Sequence, residues 1–176
     1  FARIHVHNTD TGKTEAVSPV DVVAAYPSWA PEGNRLAYVT WADDGGHIHT
    51  VRARAGARSR QITQAPGFYQ YPVWTRDGKR IVALRSSSAD RLIRSGGLGA
   101  ALGADVVWLP ARGGEVNEII PARGMGHPHF GAEADRVYLQ ASLGPTPGKA
   151  RTGLISVRFD GSDRRQVLKV SGPGSF

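Results

Sequence analysis

All the histidines of this chain fall in three His-x-His pairs, which are His5/His7, His47/His49 and His127/His129. Residues i and i+2 of a β-strand point to the same face, so each pair could present two imidazoles to one metal ion. Every pair, however, lies within a repeated segment of the sequence. His5 and His49 occupy equivalent positions of that repeat, as a packing or surface feature would. We therefore predict no metal and no cofactor.

Other residues with catalytic potential also have simpler interpretations. "TGKT" at Thr11–Thr14 resembles the end of a phosphate-binding loop, but the position that such a loop gives to its first glycine holds His7. No Gly-x-Ser-x-Gly elbow is present. Acidic residues such as Glu32 and Asp77 lie in turns and are typical turn formers. We predict no catalytic residue.

The composition indicates which elements surround these residues. The 176 residues are 40% hydrophobic and 21% charged, with 22 glycines and 11 prolines, which predicts an all-β globular fold of short strands and many turns. The net charge of +7 is scattered, so we expect no nucleic-acid partner. These 176 residues contain no apolar run long enough for membrane insertion and no signal-peptide pattern, so we expect no membrane insertion of this chain. Because the first residue is Phe1 and not Met, we expect a piece of a longer protein.

Two sequence phrases alternate along the chain. The first is "YPSWAPEGNRLAYVTW" at Tyr26–Trp41, repeated as "YPVWTRDGKRIVALRS" at Tyr71–Ser86 and, more loosely, as "HPHFGAEADRVYLQAS" at His127–Ser142. In the third copy we place Phe130 one position away from the position that Trp29 and Trp74 occupy in the first two copies. The second phrase is a short strand, a glycine turn and another strand, and its copies start at Arg3, His47, Asp105 and Gly153. Two hairpins per period predict four strands per repeat.

Repeats of this length and strand content are typical of β-propeller blades. We predict one partial propeller domain over 1–176, of about three and a half blades, with a half blade at 2–18 and blades at about 26–63, 71–120 and 127–170. Trp29 and Trp74 are predicted to fill the gaps between neighbouring blades. The stretch 86–104 breaks the period and is interpreted as a surface insertion, with a lid or partner-contact loop as the alternative.

"PSWAPEGNRLAYV" and "PVWTRDGKRIVAL", followed by "ARAGARSRQIT" and "ARGGEVNEII", resemble the repeat of TolB-type, WD-like β-propellers. The resemblance covers about Arg3 to Val170. The segment from Gly153, "GLISVRFDGSDRRQVLKVSGP", is similar to propeller segments of bacterial amidohydrolase-related proteins. These resemblances imply a periplasmic or secreted protein.

The leading functional hypothesis is a non-catalytic propeller module that binds a protein partner or scaffolds an adjacent catalytic domain. Its ligand-binding surface is predicted at the channel mouth, at Tyr26, Tyr71, His127 and His129. The alternative is the propeller portion of an amidohydrolase or peptidase-type hydrolase whose active site lies outside this chain. A direct ligand or metal site in the channel is a third hypothesis. Open blade edges also predict a possible homo-oligomer.

Overall fold

The computed structural model describes residues 2–43, 45–87, 104–122, 126–143 and 152–169. Within these ranges the regular elements are all β-strands. They are β1 (His5–His7), β2 (Thr14–Ala16), β3 (Val23–Trp29), β4 (Arg35–Ala42), β5 (Gly45–Arg52), β6 (Arg60–Gln61), β7 (Phe68–Trp74), β8 (Arg80–Ser86), β9 (Asp105–Pro110), β10 (Asn117–Pro121), β11 (Pro128–His129), β12 (Arg136–Ser142), β13 (Thr152–Arg158) and β14 (Arg165–Lys169). No helix of membrane-spanning length and hydropathy occurs in this described part.

The strands form one two-stranded sheet and three four-stranded sheets, all antiparallel. The half blade is β1–β2, blade 1 is β3–β6, blade 2 is β7–β10, and blade 3 is β11–β14. Each four-stranded sheet follows chain order, so every blade is a simple meander. The predicted all-β class and partial propeller are confirmed. Apart from Ser86, Ser87 and Ala104, the predicted insertion lies outside the described residues.

The longest buried runs lie in the second strands of blades 1 and 2. In β4 the run Leu36–Thr40 is buried at every position, and so is Ile81–Leu84 in β8. A strand that is covered on both faces needs apolar residues in succession and not in alternation. At the opposite extreme, β14 is exposed along its whole length. Burial therefore comes from the packing of one blade against the next.

An apolar cluster lies at each of the three junctions. Ile4 and Val17 pack with Leu36 between the half blade and blade 1. The other two junctions are built in the same way, with Val39, Ile48, Ile81 and Val107 between blades 1 and 2, and Leu84, Val106, Leu139 and Ile155 between blades 2 and 3.

The tryptophans of the first two copies of the first phrase differ in burial. Trp74 fills the junction between blades 1 and 2 as predicted, with 6% of its surface exposed. Trp29 does not, because 52% of its surface is exposed. The prediction for Trp29 was wrong, since the sheet that precedes blade 1 has only two strands and does not reach over the indole.

The strand register also corrects the position of Phe130. His129 lies opposite Tyr138, and Val73 lies opposite Val82, which are equivalent pairs. Phe130, which follows His129, therefore occupies the same position as Trp74, and its partly buried ring packs against the cluster between blades 2 and 3.

Candidate functional site

The first strands of the three blades meet at one edge of the molecule. Strand β7 contacts both β3 and β11, and each of these strands begins its sheet. The rings of Tyr26 and Tyr71 are tilted by 47° with centroids 4.2 Å apart, and those of Tyr71 and His127 stack with centroids 3.5 Å apart. We call these three residues the aromatic ladder. The structure thus brings together three of the four residues that the sequence placed at the channel mouth.

The fourth residue, His129, lies beside the ladder and not in it. It follows Pro128 on β11, is exposed, and faces Tyr138 across the sheet. Its charge acts on His127, whose pKa is lowered mainly by burial and secondarily by His129. His129 therefore affects the electrostatics of the ladder without extending the stack.

The two tyrosines of the ladder have an unusual backbone. Tyr26 has φ = 54° and Tyr71 has φ = 50°, in the left-handed region that non-glycine residues rarely adopt. Each lies in a bulge, between Ala25 and Ser28 in β3 and between Gln70 and Val73 in β7. A bulge redirects a side chain out of the normal alternation of a strand. Such backbone strain costs about 1–3 kcal/mol per residue and is found mainly at functional sites.

Tyr71 and His127 of the ladder both favour their uncharged forms near pH 7. Burial, together with a hydrogen bond and charge interaction with Tyr26, raises the pKa of Tyr71 to about 12. The lowered pKa of His127 favours its uncharged imidazole. The ladder therefore offers ring faces, a phenolic hydroxyl and a neutral imidazole, which suit planar apolar groups and amides better than ions.

Two further aromatic residues support the ladder, and sequence reasoning did not identify them. Trp41 meets Tyr26 edge to face at 5.6 Å, and Phe68 lies 5.5 Å from Trp41. The Trp41 Nε1 donates a hydrogen bond to the Tyr69 carbonyl of blade 2, at 3.3 Å. The sequence signal that could have identified Trp41 is its place at the end of the first copy of the first phrase, where the other copies have serine.

The His47/His49 pair is engaged by its own blade, and His7 lies 2.8 Å from the Thr14 hydroxyl of the half blade. His47 is 3.0 Å from the Thr63 hydroxyl, and His49 is 2.9 Å from the Thr40 hydroxyl. Burial, then the charge of His47, lowers the pKa of His49 to about 4. In the part of the chain that the structure describes, no three His, Asp or Glu side chains are grouped to hold a metal ion.

No protein-family model matches the chain, but solved structures are similar to it. A TolB protein of Agrobacterium tumefaciens is 17% identical with a TM-score of 0.62, over 96% of this chain and 61% of that one. The β-propeller domain of the Trilobed protease from Pyrococcus furiosus is 14% identical with a TM-score of 0.59, over 96% of this chain and 53% of that one. Pyrococcus horikoshii acylaminoacyl peptidase is 13% identical with a TM-score of 0.61, over 93% of this chain and 27% of that one.

At these identities the similarity establishes the fold alone, which is a β-propeller similar to that of TolB. The chain spans 61% of the TolB structure and 53% of the protease propeller.

Proposed function

We propose that this chain is a non-catalytic propeller module that binds a protein partner at the aromatic ladder. The observation that carries the proposal is the convergence of Tyr26, Tyr71 and His127 from three successive blades. Left-handed backbone at two equivalent tyrosines is costly, and a bulge repeated in both copies maintains it. Retained strain of this kind is most easily explained by a role for the rings.

The chemistry of the ladder favours an extended peptide segment as its ligand. Uncharged rings can stack on a planar or apolar side chain, while the phenolic hydroxyl and imidazole can bond to main-chain amides. Propeller loops and inner strands form a rigid frame, so little ordering of the protein would oppose binding.

The proposal is tested by selecting peptides from a random displayed library on the purified chain. Selected peptides are then titrated against Tyr71→Ala, Tyr71→Phe and a control, Val20→Ala, which changes an exposed residue between β2 and β3. We expect Tyr71→Ala to weaken binding at least tenfold, about 1.4 kcal/mol or more. Tyr71→Phe should weaken it less, because stacking is kept, and Val20→Ala should have no effect. Peptides that bind Tyr71→Ala as well as the wild type would refute the proposal.

The alternative function is the propeller portion of a larger hydrolase. It is favoured by the similarity to a protease propeller and to an acylaminoacyl peptidase. The narrower amidohydrolase proposal rests on the segment from Gly153. Reading the gene past Phe176 distinguishes the two, because a peptidase would show a serine elbow and an amidohydrolase a barrel with its own His-x-His.

We also propose a periplasmic or secreted location, from the resemblance to TolB-type repeats. Fractionation of cells that express the full-length gene checks it, and recovery only in the cytoplasm would refute it. The predicted homo-oligomer is checked by elution volume, where a monomer over all concentrations would count against it.

A further inference from the structure

The tryptophan of the first phrase shows how one blade covers the next. In blade 2 the Trp74 Nε1 donates to the Ser28 carbonyl in the first strand of blade 1, at 3.2 Å. The Arg35 guanidinium, at the start of the second strand of blade 1, lies 5.0 Å from the centre of the Trp74 ring. The first two strands of blade 1 therefore supply the carbonyl and the cation that cover Trp74 of blade 2.

At the next junction the equivalent arginine also lies over aromatic rings, although over different ones. Arg80 is equivalent to Arg35, and its guanidinium lies 4.8 Å from the ring centre of Trp108 and 5.1 Å from that of Phe159. Phe159 in turn stacks with Phe130, at 6.2 Å. Arg80 thus covers one ring of its own blade and one ring of blade 3, and Phe159 links it to Phe130, which occupies the position of Trp74.

At Trp29 the same cover is missing. The half blade consists of β1 and β2 only, which correspond to the third and fourth strands of a blade, and no described strand pairs with the other edge of β1. An open groove of about 950 Å³ lies there, lined by residues that include Val6, His7, Lys13, Trp29, Arg35 and Arg52. The groove lies where the first two strands of a preceding blade would pack.

We propose that this groove is the docking site for a β-hairpin of the same repeat type, supplied by polypeptide outside these 176 residues. The hairpin pairs antiparallel with β1, as β4 pairs with β5. It places a backbone carbonyl at the Trp29 Nε1 and an arginine over the Trp29 ring. Because all three hairpins of this type in the chain are already built into blades 1–3, a second copy could supply one only by unfolding a blade.

The test is a fusion in which a copy of the hairpin Tyr71–Ser86 precedes the first residue through a short Gly/Ser loop. The exposure of Trp29 is measured by acrylamide quenching, as the difference between each protein and its Trp29→Phe counterpart. We expect the fusion to lower the quenching of Trp29 several-fold relative to the unfused chain. Amide exchange of His5–His7 should slow in parallel, because the edge of β1 becomes paired.

The matched control is the same fusion with Arg80→Gln made only in the added copy. It should still slow exchange in β1 but leave Trp29 more quenchable, since the cation over the ring is lost. A fused hairpin that leaves both Trp29 quenching and β1 exchange unchanged would overturn the proposal. Concentration-dependent protection of Trp29 in the unfused chain would also overturn it, because the occupant would then be a second copy.

Discussion

Trp29 and Trp74 occupy the same position of the same sequence phrase, yet one is half exposed and the other buried. The difference lies in what precedes each residue. Trp74 follows a four-stranded blade, and Trp29 follows a two-stranded one. A repeat thus defines which face of a strand an aromatic residue occupies, while the neighbouring blade decides whether that residue contributes to stability.

The same contrast extends to the histidines. His49, in the complete blade 1, is half-buried, stacks on Tyr38 at 5.5 Å and has a lowered pKa. His5, its counterpart in the half blade, is exposed. Equivalent residues therefore acquire different chemistry from different surroundings.

The largest expected effect separates the two tryptophans directly. Trp74→Ala should lower the free energy of unfolding by about 3–5 kcal/mol, because it leaves a cavity between blades 1 and 2. Trp29→Ala should cost less than about 1 kcal/mol, since half of its surface is already in contact with water. Denaturant unfolding of both variants checks this. Equal losses of unfolding free energy in the two variants would contradict the difference between the two tryptophans.

A second comparison uses two turn glycines with left-handed backbone. Gly161 has φ = 79°, and a Cβ there would lie 2.5 Å from the Ile119 carbonyl oxygen of blade 2. Gly56 has φ = 66° and nothing within 4 Å of an added Cβ. Gly56→Ala should cost about 1 kcal/mol from backbone strain alone, and Gly161→Ala about 3 kcal/mol because the clash is added. Thermal unfolding of the pair measures the difference.

Acid should weaken blade 1 through His49. Its pKa falls from an ordinary value near 6.5 to about 4 in the folded chain, so folding favours the neutral ring. This stabilisation is complete above pH 6.5 and is lost as the pH falls toward 4, amounting to about 2–3 kcal/mol after allowance for solvent screening. Denaturant unfolding from pH 7 to pH 4 measures it.

The control for the acid effect is the pair His49→Gln and His5→Gln. The first should flatten the pH dependence, because the titrating group is removed. The second changes the equivalent, exposed residue of the half blade and is the matched comparison. A pH slope that persists in His49→Gln would show that another group is responsible.

The smallest expected effect concerns the arginine of the first phrase. Arg35→Gln should cost about 1 kcal/mol, from the lost cation–π contact with Trp74 and the exposed ion pair with Glu32. In Trp74→Ala the same substitution should cost less, which a double-mutant cycle measures. Full additivity would argue against the contact between Arg35 and Trp74.

The arginine in the third copy of the first phrase shows what a comparison of repeat copies does not reveal. Arg136 is equivalent to Arg35 and Arg80 but is fully buried. Its guanidinium bonds to the Ser156 side chain and carbonyl and, at 2.8 Å, to the Asp163 carboxylate, all within blade 3. The phrase around it does not reveal this change, because the partners belong to a different hairpin.

Much of the fold followed from the sequence alone, because strand alternation and turn chemistry are local. The phrases predicted four-stranded antiparallel blades. The first residues of the three copies of the first phrase, Tyr26, Tyr71 and His127, were predicted to lie together at the channel mouth. Only the tertiary structure showed the left-handed bulges at both tyrosines, the buried Arg136 and the exposed Trp29. Each of these depends on contacts between strands and blades far apart in sequence, and such contacts decide burial and backbone strain without leaving a local pattern.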